Sequence, residues 1–185
     1  MKKSINTNSI KEQADGIFEA LKAEFGYTNK LQAPRLVKVI VSSATGSVKD
    51  AKKKALIGDR ITRITGQKVT QKSAKKSIAT FKVREGDPVG YQVTLRGAKA
   101  YDFLSKLINI ALPRTRDFRG LDLKSIDDMG NFNIGVKEHT IFPETSDDEL
   151  KDVFGMGVTL VTTSKTKAET EKFLKHLGFL FKKTA

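Results

Sequence analysis

The chain has no cysteine, no tryptophan, only two histidines and four prolines, and no apolar run near the ~18 residues of a membrane-spanning helix. Without cysteine there is no disulfide framework, no thiol nucleophile and no thiolate site for zinc or an iron–sulfur cluster, which suits a reducing compartment such as the cytoplasm. The first residues, Met1-Lys2-Lys3-Ser4-Ile5-Asn6-Thr7-Asn8, lack the apolar stretch of a secretion signal. No repeat, low-complexity tract or Pro/Ser-rich linker interrupts the 185 residues, so one domain over 1–185 is expected. Hydrophobic residues make up 38% and charged residues 30%, enough apolar side chain for a core and the wrong composition for a disordered chain.

Acid is scarce where base is dense. Of the net charge of +13, residues 31–100 carry +12, whereas residues 131–160 carry −4. From Arg60 to Arg84 there are eight cations (Arg60, Arg63, Lys68, Lys72, Lys75, Lys76, Lys82 and Arg84) and no Asp or Glu. Like charges this dense repel one another unless a polyanion neutralises them, and phosphates do so with release of their counterions. Nucleic acid is therefore the favoured partner, and a merely solubilising surface is the plain alternative. An anionic membrane is not expected, because no basic amphipathic helix with an aromatic face accompanies the charge.

The periodicities predict an α+β fold. Ser9-Ile10-Lys11-Glu12 reads as a capping box before a helix carrying Ala14, Ile17, Phe18, Leu21 and Phe25 and stopped by Gly26. Leu36 to Ser43 reads as a strand, Ala44 to Ser47 as a turn, and Ser47 as the start of a second helix that ends at Gly66. Short strands are expected around Val69, Phe81 and Val83, with the small and basic segment Lys72 to Ala79 as a protruding loop. Val89 to Arg96 alternates, with Val89, Tyr91, Val93 and Leu95 on one face and Gly90, Gln92, Thr94 and Arg96 on the other. A third helix carries Ala100, Phe103, Leu104, Leu107 and Ile110 inward and is ended by Pro113. Strands at Phe132 to Val136 and Val158 to Thr163 and a last helix capped by Thr166 with Glu169 complete the pattern. Without regular β-α-β alternation, an antiparallel sheet with helices packed on one face fits best.

Catalytic chemistry is thin. His139 and His176 lack partners at metal-ligand spacing and are expected at surface or hydrogen-bonded positions. Asp127-Asp128 is open to two readings, a magnesium ligand of a nuclease and a turn before Gly130. Gly155-Met156-Gly157 precedes a strand and opens no helix, so it lacks phosphate-cradle mechanics. No enzyme activity, metal or cofactor is expected. A magnesium-dependent nuclease using Asp127, Asp128 and His139 and a free RNA chaperone or regulator are the alternative readings.

Long stretches resemble one family. They include Ile64-Thr65-Gly66-Gln67-Lys68, the run Lys72-Ser73-Ala74-Lys75-Lys76-Ser77-Ile78-Ala79-Thr80-Phe81-Lys82-Val83-Arg84-Glu85-Gly86, and Val93-Thr94-Leu95-Arg96-Gly97. Pro113-Arg114-Thr115-Arg116-Asp117-Phe118-Arg119-Gly120-Leu121, Gly130-Asn131-Phe132-Asn133-Ile134-Gly135-Val136-Lys137-Glu138 and Ile141-Phe142-Pro143-Glu144 belong with them. In order and spacing the chain resembles the bacterial large-subunit ribosomal proteins number five, which bind 5S rRNA. The resemblance implies a sheet whose concave face lies on 5S rRNA in the central protuberance, and a basic loop that reaches peptidyl-site tRNA. The implied location is the cytoplasmic ribosome, and no homo-oligomer is expected.

By that resemblance, Lys38, Ser42, Ser43, Arg63, Gln67, Lys68, Thr94 and Arg96 are the candidate 5S rRNA contacts, hydroxyls and cations suited to phosphates, ribose hydroxyls and base edges. Lys72, Ser73, Lys75, Lys76, Ser77, Lys82 and Arg84 form a flexible cationic arm for tRNA, indifferent to sequence because it touches phosphates. Arg114, Arg116 and Arg119 are candidates for other large-subunit rRNA, or for an ion pair with Asp117. Glu144, Asp147, Asp148 and Glu149 are too acidic to lie on RNA, and are implied to bridge to the basic small-subunit head protein number thirteen. An acidic helix start in solvent is the alternative. Where the family usually has Asn-Met-Gly after the first strand, this chain has Ser42-Ser43-Ala44, a shorter donor and no glycine.

If roughly six to eight phosphates are neutralised, log affinity for RNA should fall with log salt at a slope of roughly −4 to −7, from about 0.7 to about 0.9 per contact. Titration across ionic strengths measures it, and a slope near zero overturns the electrostatic reading.

Overall fold

The computed structural model describes residues 10–48, 50–116, 118–146 and 152–182. Its strands are β1 (Leu36–Ala44), β2 (Thr70–Ser73), β3 (Pro88–Leu95), β4 (Phe132–Val136) and β5 (Met156–Thr162). They pair antiparallel into a five-stranded sheet of order β2-β3-β1-β5-β4. Each of β4 and β5 alternates strictly between buried and more open residues, as a sheet with one covered face requires. Val39 and Val41 of β1, Leu95 of β3, Phe132 of β4 and Leu160 of β5 are wholly buried on that covered face.

The helices supply the other half of the core. They are α1 (Ile10–Asp15), α2 (Ile17–Phe25), α3 (Ala51–Thr65), α4 (Ala98–Lys106), a three-residue turn α5 (Leu112–Arg114) and α6 (Lys167–His176). Ile57, Ile61 and Ile64 of α3, Phe103 and Leu104 of α4, and Phe173 and Leu174 of α6 join the strand residues in one hydrophobic cluster. Gly58 brings α3 close to the sheet, since a Cβ there would come within 3.1 Å of the Tyr91 ring. The result is an α+β fold with its helices on one face of the sheet.

Several boundaries differ from the sequence expectations for physical reasons. Gly16 separates α1 from α2, yet its N–H still donates to the Glu12 carbonyl at 3.1 Å and its carbonyl accepts from Ala20 at 3.3 Å, so the coil runs on. The capping residue Ser9 lies outside the described residues. The α3 cap is Asp50 and not Ser47, because the Asp50 carboxylate accepts from the Lys52 N–H at 2.8 Å and its charge suits a helix N-terminus.

Pro113 does not end the third helix. A wide π turn at Leu107–Ala111 precedes α5, and the Leu112 N–H reaches back to the Leu107 carbonyl. The extra residue in that turn makes room for the proline ring and shifts the helical phase, leaving Ile110 43% exposed when it was expected inward. At Phe81 and Val83 there is no strand, only an isolated bridge between Ile78 and Val83 around a short 3₁₀ turn.

Gly130 locks the end of β4 to the helical layer. Its carbonyl accepts from the Thr162 hydroxyl at 2.7 Å and the Thr170 hydroxyl at 3.1 Å. Its φ of +78° is left-handed, and a Cβ there would stand 2.6 Å from the Ser164 carbonyl oxygen. Gly130→Ala should therefore destabilise the protein by more than about 2 kcal/mol in a urea titration. Gly46→Ala, which meets nothing within 4 Å, should stay within about 0.5 kcal/mol of the parent in the same measurement.

Candidate nucleic-acid interface

The strand registers set out what lies on the open face of the sheet. One row crosses all five strands, Thr70, Gln92, Ser42, Gly157 and Gly135 in turn. The next row holds Thr94, Ile40, Thr159 and Asn133. These side chains are small, mostly polar and uncharged, and Gly135 has nothing within 4 Å of where a Cβ would stand, so another backbone could approach closely there. The Thr159 hydroxyl donates to the Asn133 side-chain oxygen at 2.7 Å, which fixes that pair. Among the expected 5S rRNA contacts, Lys38, Ser42 and Thr94 stand on this face, with Arg96 exposed just beyond β3.

The other expected contacts divide. Gln67 is tied to the sheet margin, its side-chain amide donating to the Thr94 carbonyl at 3.1 Å, and Lys68 beside it is exposed. Arg63 stands on α3, in the helical layer, where its Nε donates to Asp59 at 2.9 Å. Ser43 corrects the sequence reading. Its side chain points to the core face, 4% exposed, and its hydroxyl donates to the Gly155 carbonyl at 2.7 Å, so only Ser42 of the pair presents a hydroxyl to the open face. Thr70, Thr159 and Asn133 were missed as members of this face, and Gln92, placed on it by alternation, was not counted among the contacts. Strand alternation was the available signal for Gln92, but the rows exist only once the register is known.

Lys72 and Ser73 belong to β2, the edge strand, and not to the loop in which the sequence reading placed them. Lys75, Lys76, Ser77, Lys82 and Arg84 lie on the excursion between β2 and β3, where the lysines are exposed. The expected flexible arm is a hydrogen-bonded hairpin. The Ala74 N–H donates to the Asp87 carbonyl at 2.9 Å, and the Gly86 N–H to the Ala74 carbonyl at 3.0 Å. Nearer the tip, the Glu85 N–H donates to the Ser77 hydroxyl at 2.9 Å and the Arg84 N–H to the Asp87 carboxylate at 2.8 Å. Ile78 and Val83 exchange two backbone bonds at 2.9 and 3.3 Å.

A second cationic cluster lies at the opposite side of the sheet. Arg114, Arg116 and Arg119 line a cavity of about 700 Å³ with Lys137 and Lys182, alongside residues of the edge strand β4. Asp117, the alternative partner of these arginines, lies outside the described residues. The hairpin and this cluster are thus attached to the two different edges, β2 and β4.

Residues 29–84 match the family described as Ribosomal protein L5, and residues 88–181 match the C-terminus of the same ribosomal family. The chain belongs to the ribosomal protein L5 family. It is 47% identical over 165 residues to the large ribosomal subunit protein uL5 of Desulfotalea psychrophila, covering 89% of this chain and 92% of that one. It is 46% identical over 179 residues to the large ribosomal subunit protein uL5 of Flavobacterium johnsoniae, covering 96% and 98% respectively.

In this L5-family chain the acidic stretch is described only in part. Glu144 forms an ion pair with Lys106, whose ammonium also donates to the Ile64 carbonyl at 2.9 Å, so this carboxylate is already engaged within the molecule. Asp147, Asp148 and Glu149 lie outside the described residues.

The nuclease reading loses its residues. His139 is fully buried, stacked on Phe154 with ring centroids 4.1 Å apart, and its Nδ1 accepts from the Phe154 N–H at 3.4 Å. Among the described residues no cluster of three or more His, Asp or Glu could hold a metal ion. Asp127 builds a turn instead. Its Oδ1 accepts from the Asn131 N–H at 2.6 Å and the Met129 N–H at 3.1 Å, and its Oδ2 from the Asn131 side-chain amide at 2.9 Å. Asp128 is exposed and paired with Lys167 at 2.9 Å.

Desolvation pushes the Asp127 carboxyl up, but the hydrogen bonds from Asn131 and Met129, with Lys167 nearby, outweigh it and hold the carboxyl below its ordinary range. A carboxyl depressed in the folded state stabilises above its unfolded value near ~3.9, and that contribution fades as pH falls through the lower folded value. Asp127→Asn should thus be less stable than the parent at neutral pH, with the gap narrowing towards pH ~3. Denaturant titrations at several pH values check this, and a gap that does not change with pH overturns the assignment.

Proposed function

We propose that the chain is a non-enzymatic structural protein of the large ribosomal subunit that fastens 5S rRNA in the central protuberance. The observation that carries this reading is its 46% identity to a large ribosomal subunit protein uL5 across 96% of the chain and 98% of that relative. An open face of neutral hydroxyls, amides and glycines suits a folded RNA. Such groups reach ribose hydroxyls and base edges, while Lys38 and Arg96 at its margin meet phosphates. The hairpin bearing Lys75, Lys76, Lys82 and Arg84 meets peptidyl-site tRNA, and the cluster of Arg114, Arg116 and Arg119 meets neighbouring large-subunit rRNA. The acidic run that begins near Glu144 faces the basic head protein number thirteen of the small subunit, since negative charge of that density is repelled by RNA.

The sheet face and the hairpin are separate surfaces in this reading, so they should respond separately. Replacing Thr94 and Arg96 together with Ala should weaken binding to isolated 5S rRNA by about tenfold or more, through loss of a charge-assisted contact and a hydroxyl. Replacing Lys75 and Lys76 with Ala should leave 5S rRNA binding nearly unchanged while weakening tRNA retention on reconstituted ribosomes. Equal losses in both assays by either variant overturn the division.

A further inference from the structure

The hairpin between β2 and β3 carries two features that contact with phosphates alone does not call for. At its tip Phe81 is 72% exposed and Ile78 46% exposed, although side chains this large and apolar are ordinarily placed in a core. Between the hairpin and the turn that follows β1 opens a cavity of about 660 Å³. Phe81, Ile78, Val83 and Val89 wall it, Lys75 and Lys76 are its charged residues, and among the described residues no acidic side chain lines it. Spaces of roughly 300–1,000 Å³ accept a small-molecule-sized group.

An aromatic face and aliphatic walls beside two ammonium groups match one ligand chemistry. A nucleotide has a flat base with π faces and an anionic phosphate on either side. The base must be unpaired, because inside a duplex both of its faces are covered by its neighbours. An acidic apolar peptide would fill the same volume, but a nucleotide brings the flat ring and the anionic groups together in one residue, which matches Phe81 beside Lys75 and Lys76. The tip is also held in shape. Lys82 takes a left-handed φ of 51° and the Ile78–Val83 bridge closes the loop beneath it.

We propose that this cavity receives one unpaired nucleotide of an RNA strand, its base stacked on Phe81 and flanked by Ile78 and Val89, its phosphates on Lys75 and Lys76. The inference rests on the reading of the hairpin as an RNA contact, and it adds a dependence on the base where that reading has phosphates only.

The test compares a short oligouridylate with an abasic ribose-phosphate chain of the same length, each binding the full-length protein, by fluorescence anisotropy. The base-bearing oligomer should bind about fivefold or more tightly. Phe81→Ala and Phe81→Leu should abolish that ratio without changing affinity for the abasic chain, whereas Lys75→Ala with Lys76→Ala should weaken both oligomers alike. Because the chain has no tryptophan, Phe81→Trp introduces a sole indole, which oligouridylate should quench and the abasic chain should not. Competition then separates the RNA sources: displacement of the oligomer by tRNA supports the site, and displacement by 5S rRNA alone or by neither overturns it. Equal, salt-dependent binding of both oligomers overturns the base site and leaves the electrostatic reading standing. A ratio that survives Phe81→Ala also overturns it and assigns the apolar tip to a protein neighbour. Absence of salt-dependent binding to either oligomer overturns both readings.

Discussion

The molecule depends on a sheet that is buried on one side only. β1 sits at its centre, bonded to β3 on one flank and β5 on the other, and Val39 and Val41 are wholly withdrawn from water. Because side chains alternate along a strand, burying those valines compels Lys38, Ile40 and Ser42 to the opposite face. A slip of one residue would expose the valines and bury a lysine, so the hydrophobic core and the outward polar rows are fixed by the same register. The surface offered to a partner is in this sense a by-product of packing, and its geometry is as firm as the core behind it.

Features with a local cause were legible in the sequence. The alternation of Val89 to Arg96 gave β3 within a residue, and Thr166 with Glu169 capped α6 as expected, the Glu169 N–H donating to the Thr166 hydroxyl at 3.3 Å. Features decided by distant partners were not. The Ser43 hydroxyl meets a carbonyl 112 residues away, a partner that no local pattern names, although alternation from Val39 and Val41 already points Ser43 inward. Ser47 and Asp50 both had cap chemistry, and only the folded backbone shows which one closes on the helix. Phe81 misled for another reason: an aromatic residue among Ile78 and Val83 has the composition of a strand, and exposed display of a ring leaves no signature in propensity.

Charge and recognition are laid out on different parts of the fold. The two rows described on the open face carry mostly neutral donors and acceptors, whereas Lys38 stands towards one end of it and two groups of cations stand near the sheet edges, on the β2–β3 hairpin and around Arg116. On the proposed function, that separation lets long-range attraction gather an anionic partner without crowding the face that would fit it closely. Two residues of the nuclease reading are engaged in structure instead, His139 against Phe154 and Asp127 in its turn.

The closure of the hairpin by its own backbone has a kinetic consequence. Ordering a residue costs on the order of 1–2 kcal/mol of conformational entropy, and here much of that cost falls when the chain folds, before any encounter. In the proposed reading, an approaching nucleic acid meets a finger already in shape. Its capture is then governed by diffusion and charge, and not by the waiting time for a rare conformer to form.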